Sequence, residues 1–196
     1  MKKKKIIAAF ATALAGLTFA GAAHAVGPSG LAGRAHPFSE HIVVKAPTLA
    51  PYAFVRFCID NASDCAASDG PATATVDTVA LKQLRQVNRE INGEIRPQYD
   101  TDGDDVWQAD VSAGDCEDFA LTKRRRLLEL GWPANALRMA IAYTPNNNGH
   151  AVLVVSTSRG DLVLDNRTNA VRNWHDTDLR WVMIQSAANP LSWNQI

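Results

Sequence analysis

Hydrophobic positions recur at two different periods along this chain, and the change of period separates a helical half from a sheet half. Val76, Val79, Leu84, Val87, Ile91 and Ile95 return at steps of roughly 3.6 residues, with Lys82, Arg85, Arg89 and Glu90 on other faces. That spacing predicts an amphipathic helix from Val76 to Ile95, stopped by Pro97. A second helix is predicted from Asp115 through Phe119, Ala120, Leu127 and Leu128 to Gly131, with Pro133 just beyond. Asp115 suits the N-cap, and Asp118 stands where a capping box places its acidic partner. Gly131 supplies the left-handed residue on which helices commonly end. Lys123 to Arg126 crowd the later turns, where cations suit the negative end of the helix dipole, and they read as a solvated face.

Past Pro133 the pattern becomes that of strands: Leu137 to Tyr143, His150 to Ser156, Asp161 to Asp165 and Leu179 to Gln185. Turn residues join the first three: Pro145 to Gly149, then Ser158 to Gly160; Asn166 to Asn169 follow the third. Earlier in the chain, Ile42 to Lys45 and Tyr52 to Ile59 are short apolar runs expected as strands or extended segments, and Asn61 to Pro71 is expected as a loop. Helix first, then a meander of strands packed on it, is an α+β architecture.

Charge changes the picture at the N-terminus. The 20 basic and 20 acidic residues balance over the whole chain. Lys2 to Lys5, however, form a basic patch before the apolar, small-residue stretch from Ile6 to Ala23, and Ala23-His24-Ala25 fits a cleavage site. Residues 1–25 are therefore expected to be a signal peptide. Ala, Gly and Thr dilute the stretch too far for stable membrane insertion. Residues 26–196 are then one mature domain in the periplasm or outside the cell, with an irregular arm from Val26 to about His36. Losing four lysines leaves that domain mildly acidic, which argues against a nucleic-acid partner.

Export also gives the cysteines meaning. Spare thiols pair in an oxidising compartment. Cys58 and Cys65 flank the turn-rich Asn61-Ala62-Ser63-Asp64, and a disulfide between them is expected to add about 2–3 kcal/mol. Cys116 is then left over, at the start of the second helix. Unsatisfied N–H groups there favour a thiolate, and its own N–H suits a developing oxyanion; a buried structural cysteine is the alternative. His150 opens a strand after a Gly-containing loop, and Asp165 ends the next. A hairpin of those strands would bring imidazole and carboxylate within hydrogen-bond reach, fixing the tautomer of His150.

Gly114-Asp115-Cys116-Glu117-Asp118-Phe119-Ala120, Gly149-His150-Ala151-Val152-Leu153 and Leu162-Val163-Leu164-Asp165-Asn166 resemble, in order, the nucleophile, histidine and aspartate motifs of the bacterial transglutaminase-like cysteine proteinase family. The resemblance spans roughly Leu81 to Trp181. It implies a papain/transglutaminase-like fold, with a nucleophile helix on an antiparallel sheet and a Cys116–His150–Asp165 triad. The best-described branch consists of periplasmic, calcium-dependent proteases that release a biofilm adhesin. By extension the partners are a protein substrate, at the cell surface or secreted, and a regulatory membrane receptor. The segment between Trp107 and Cys116, the loop around Asn146 and the shorter mature chain depart from that branch, so the chemistry carries over better than the substrate.

Calcium has a physical argument of its own. Asp115, Glu117 and Asp118 surround Cys116 with negative charge that suppresses its thiolate, and carboxylate oxygens are the ligands calcium prefers. The alternative is that these acids only cap the helix. Asp100, Asp102 and Asp104 imitate a calcium loop, but the glycine is misplaced and the twelfth position is not Glu, so an EF-hand is excluded. Trp107 or Gln108 could complete an oxyanion hole, as upstream residues do in transglutaminase-like folds, or Trp107 could be core. Trp132, Trp174, Trp181 and Trp193 read as packing residues. Acyl transfer, cleavage of a peptidoglycan peptide, and an inactive calcium-dependent binding module remain open beside proteolysis. A zinc site on Cys116 and His150 lacks further ligands at suitable spacing.

Overall fold

The structure, a computed structural model, describes residues 40–101 and 104–196. The expected signal peptide, the arm to His36 and Asp102 lie outside the described residues. The first elements are β1 (Pro47–Thr48), α1 (Tyr52–Asp60), α2 (Thr78–Glu94), β2 (Arg96–Pro97), β3 (Ala113–Gly114) and α3 (Cys116–Glu129). Then come β4 (Leu137–Tyr143), β5 (Gly149–Thr157), β6 (Gly160–Leu164), β7 (Arg172–Asn173), β8 (Arg180–Gln185) and β9 (Trp193–Gln195). Seven strands form one antiparallel sheet in the order β1-β9-β8-β4-β5-β6-β7, and β2 and β3 form a short parallel pair. The α+β arrangement expected from the sequence is the one observed. Among the described residues no helix is long and apolar enough to cross a membrane.

Helix α2 starts where Asp77 accepts a hydrogen bond from the Ala80 N–H at 2.8 Å, and it buries Leu84, Val87, Asn88 and Ile91. Val79, counted in the apolar stripe, is 74% exposed, and Val76 is buried just ahead of the helix instead. Helix α3 is capped as expected, and Gly131 turns the chain with φ 84°. The sheet is covered on both sides. Ala151, Leu153 and Val155 of β5 join the main core with Phe119, Ala120 and Leu127 of α3, while Val152 and Val154 join a second cluster with Ile42 and Ile184.

The assignment of one apolar run is corrected. Tyr52 to Ile59 is not a strand but helix α1, which buries Ala53, Phe54, Phe57 and Cys58. Those positions fall on one helical face, but a short run rich in apolar residues carries no period strong enough to separate helix from strand. Phe54 then packs edge-on against Trp107 and Trp193, with centroids 5.7 and 5.5 Å away. Ile42 to Lys45, expected as a strand or an extended segment, lies in no strand, and the Ile42 N–H is held by the Asp161 carboxylate at 2.9 Å.

Lys123 to Arg126 is not a solvated face either. Lys123 is 0% and Arg124 4% exposed. The helix is covered by the sheet and also by the 61–65 turn, which the Cys58–Cys65 disulfide closes. Arg124 donates to the carbonyls of Leu137 at 3.2 Å and Asp64 at 2.7 Å, and Arg125 bridges the carboxylates of Asp64 and Asp110, each at 2.6 Å. The basic run thus holds α3 to the disulfide turn.

Lys123 has no such partner. Its Nζ makes no hydrogen bond and stands 6.0 Å from the Phe119 ring centre. Burial pulls its pKa down to about 7, with the Asp165 charge opposing. The folded protein therefore carries the full cost of a buried ammonium below about pH 7, and the cost fades as pH rises towards the unfolded value of 10.5. Replacing Lys123 with Met removes that cost, so K123M should be more stable by about 1–3 kcal/mol at pH 6. The gain should shrink at pH 9, as read by denaturant unfolding at the two pH values.

Candidate active site

Gly114 makes room for the start of α3: a Cβ there would collide with the Asp118 side chain. Asp118 uses both oxygens on the approaching backbone, accepting from Gln108 N–H at 2.7 Å and Asp115 N–H at 3.2 Å. This clamp sets Cys116 as the first residue of α3, half-buried and facing the beginning of β5. The Cys116 sulfur accepts from the Ala151 N–H at 3.3 Å. Its thiol donates to Glu117 Oε2 at 3.2 Å. Burial first, and then the Glu117 charge, push the thiol far above its ordinary value, while the Ala151 amide works in the opposite direction.

Strand β5 positions His150 and the β5–β6 hairpin positions Asp165. His150 Nε2 lies 2.9 Å from Asp165 Oδ1, and both residues are buried. Helix α2 supports the turn that carries the carboxylate: Asn92 donates to the Asp165 carbonyl at 3.2 Å, and Asn88 to that of Thr168 at 2.9 Å. Burial would push the Asp165 carboxyl up, but hydrogen bonds from His150 and Arg167 outweigh it and hold the group well below the usual carboxylate range. The structure therefore joins His150 to Asp165 directly. It brings Cys116 to the residue after His150, with the thiol hydrogen bond directed to Glu117 rather than to the ring. Cys116 and His150 both line a cleft of about 1130 Å³.

Carboxylates gather on the other side of the sulfur. Asp100, Asp105 and Glu117 place ligand oxygens within 4.8 Å of one another. Burial and the neighbouring Asp115 raise Glu117 to about 9, and Asp115 Oδ1 is buried with no hydrogen-bond partner. So dense a set of oxygens fits a hard divalent cation. The set differs from the expected Asp115, Glu117 and Asp118. Asp118 is occupied by the two amides of the helix clamp, and Asp100 and Asp105 come from the acidic loop that fails as an EF-hand. They act as a wall against Glu117, a long-range arrangement with no local spacing to betray it.

Both upstream candidates for an oxyanion donor have an N–H engaged with a carboxylate. The Trp107 Nε1–H donates to Asp105 at 2.9 Å, and the ring is core. Gln108 is exposed, and its backbone N–H serves Asp118. Two residues the sequence reading passed over do reach the site. Arg167 donates to Asp165 Oδ2 through Nε at 3.0 Å and Nη2 at 2.8 Å, and its Nη2 also meets Asp178 Oδ1 at 2.6 Å. Asn166 to Asn169 read as a plain turn because an arginine there has no periodic signature.

The sequence model of the bacterial transglutaminase-like cysteine proteinases (BTLCP) matches residues 44–196. Among solved structures, calcium-bound Legionella pneumophila LapG is 30% identical, with 55% of this chain and 65% of that chain covered and a TM-score of 0.48. The EGTA-treated form of that protein is 31% identical, covering 53% and 62% with a TM-score of 0.46. The chain thus spans just under two thirds of the LapG chains it matches. No curated protein matches by sequence. With the family match running from residue 44 to residue 196 across helix, cleft and sheet alike, the chain belongs to the bacterial transglutaminase-like cysteine proteinases.

Proposed function

We propose that this protein is an exported cysteine peptidase that hydrolyses a peptide bond in a cell-surface or secreted protein, with Cys116 as nucleophile, His150 as base and Asp165 as its orienting carboxylate. One observation carries the reading: a buried His150–Asp165 pair at 2.9 Å beside a sulfur anchored on the next residue of the same strand, with His150 and Cys116 lining one cleft. The Cys58–Cys65 disulfide suits an oxidising compartment such as the periplasm.

With Nε2 engaged by Asp165, Nδ1 is the ring nitrogen left to take the Cys116 proton. The thiolate attacks the scissile carbonyl carbon, and the Cys116 N–H, at the head of α3, stabilises the oxygen as it gains charge. The imidazolium then protonates the leaving amine as the C–N bond breaks. His150 next deprotonates a water that attacks the thioester, releasing the acid and restoring the thiol. Asp165 holds the ring in one tautomer and stabilises its charged form.

Glu117 opposes the first step because it keeps the proton on sulfur. Asp100, Asp105 and Glu117 would hold a calcium ion, with Asp115 beside them. Bound there, calcium supplies the positive charge that offsets these carboxylates. That charge would favour the thiolate form of Cys116.

Two outcomes are expected. Comparing proteins shed by intact cells, C116A and H150A should each lose release by at least about a thousandfold, while both purified variants keep a cooperative unfolding transition. Release unchanged in C116A would dismiss the peptidase. Calcium at about a hundredfold over its Kd should stabilise the wild type by about 2.7 kcal/mol and leave E117Q unmoved, as read by thermal unfolding with and without EGTA. Equal stabilisation of both proteins would remove the ion from this site.

A further inference from the structure

We infer that Arg167 is a positioning residue for the proposed reaction, clamping the Asp165 carboxylate so that Oδ1 stays on His150, with Asp178 clamping the guanidinium in turn. The inference rests on the triad reading above.

Asp165 stands one residue past the end of β6, so no strand ladder fixes it. Its orientation depends on the groups around its two oxygens. Oδ1 accepts from His150 Nε2 and from the Arg167 backbone N–H, each at 2.9 Å. Oδ2 accepts from Arg167 Nε at 3.0 Å and Nη2 at 2.8 Å. One residue therefore closes on both oxygens, and the carboxylate cannot rotate away from the imidazole without breaking those bonds. The far edge of the guanidinium contacts both oxygens of Asp178, at 2.6 and 3.4 Å. Asp178 lies just ahead of β8, so the chain of contacts His150–Asp165–Arg167–Asp178 ties the turn after β6 to the entry of β8. Arg167 and Asp178 both line the cleft.

Charge alone would not need this arrangement. His150 from β5 and Lys123 from α3 already act on Asp165 as positive groups, and Asp178 acts as a negative one. What Arg167 adds is direction, because its Nε and Nη2 donors both meet Oδ2 and fix the angle of the carboxylate; a lysine there keeps part of that hold through a single donor. Its side chain is 33% exposed, so removing it deletes no core residue.

The test uses the full chain labelled with 15N-histidine, in calcium. At pH 6 the His150 Nε2–H resonance, assigned by its loss in H150A, should be present in the wild type. It should vanish into exchange with water in R167Q, return in R167K and exchange faster in D178N. In parallel, iodoacetamide should alkylate Cys116 at pH 7 about tenfold more slowly in R167Q, with R167K recovering to within about threefold of wild type. The inference is overturned if R167Q keeps both the resonance and the alkylation rate while H150A slows alkylation; the triad then stands and the arginine is a surface ion pair. It is also overturned if R167Q and R167K lose alkylation equally as their Tm falls in step, a structural loss. An alkylation rate unchanged in H150A sinks the triad itself, and the positioning role with it.

Discussion

The junction between the head of α3 and the start of β5 is where the molecule is most constrained. A glycine at 114 lets the Asp118 side chain close over the incoming backbone, and two amides from different segments converge on that one carboxylate. Move this clamp and the first residue of α3 shifts with it, taking the sulfur off the Ala151 amide. The rest of α3 is fastened to match. Arg124 reaches the β4 backbone on one side and the disulfide turn on the other, and Arg125 grips that turn through Asp64. A helix held at its head by an aspartate and along its shaft by arginines has little freedom to slide, and sliding by a single residue would rotate Cys116 out of the cleft.

The site is electrically divided. On one side of the sulfur stand Asp100, Asp105, Asp115 and Glu117; on the other, His150, Arg167 and Lys123 surround Asp165. The two halves set opposite protonation states. The cationic half keeps Asp165 ionised despite burial, whereas burial, helped by the neighbouring acids, lifts Glu117 to about 9 and keeps Cys116 a thiol. In the proposed reaction a proton crosses from the second half to the first, so anything that neutralises the carboxylates acts on the step that creates the nucleophile.

What the sequence disclosed follows the range of the interactions. Helix α2, the capped α3 and the β4–β5–β6 meander are written in local periods and caps, and the pairing of His150 with Asp165 follows from one hairpin of short connection. Helix α1 escaped because Tyr52 to Ile59 is apolar on nearly every side; only its neighbours Trp107 and Trp193 decide which face is inside. The burial of Lys123 and Arg124 escaped for a related reason. Charge predicts exposure unless a distant segment brings acceptors, and the 61–65 turn is about 60 positions away along the chain. Asp105, Arg167 and Asp178 were invisible as a site because each is an ordinary loop residue until the fold assembles its partners, and Asp100 was legible only within a loop pattern that fails as an EF-hand.

The disulfide and the free thiol are linked by the same geometry. Cys58 and Cys65 pair at the end of α1 and close the turn whose Asp64 receives Arg124 and Arg125. Oxidation at one place therefore braces the helix that presents the remaining cysteine. In the compartment of the proposed export, that remaining thiol would share the oxidising surroundings, and the thiolate is the form that oxidants and disulfides attack. Half-burial and the hydrogen bond to Glu117 keep it protonated, hence slow towards such reagents. The feature that looks worst for catalysis, an acid beside the nucleophile, is thus one that protects an unpaired cysteine if the protein is exported as proposed. It is compatible with an active enzyme only if that acid has something else to bind when the substrate arrives.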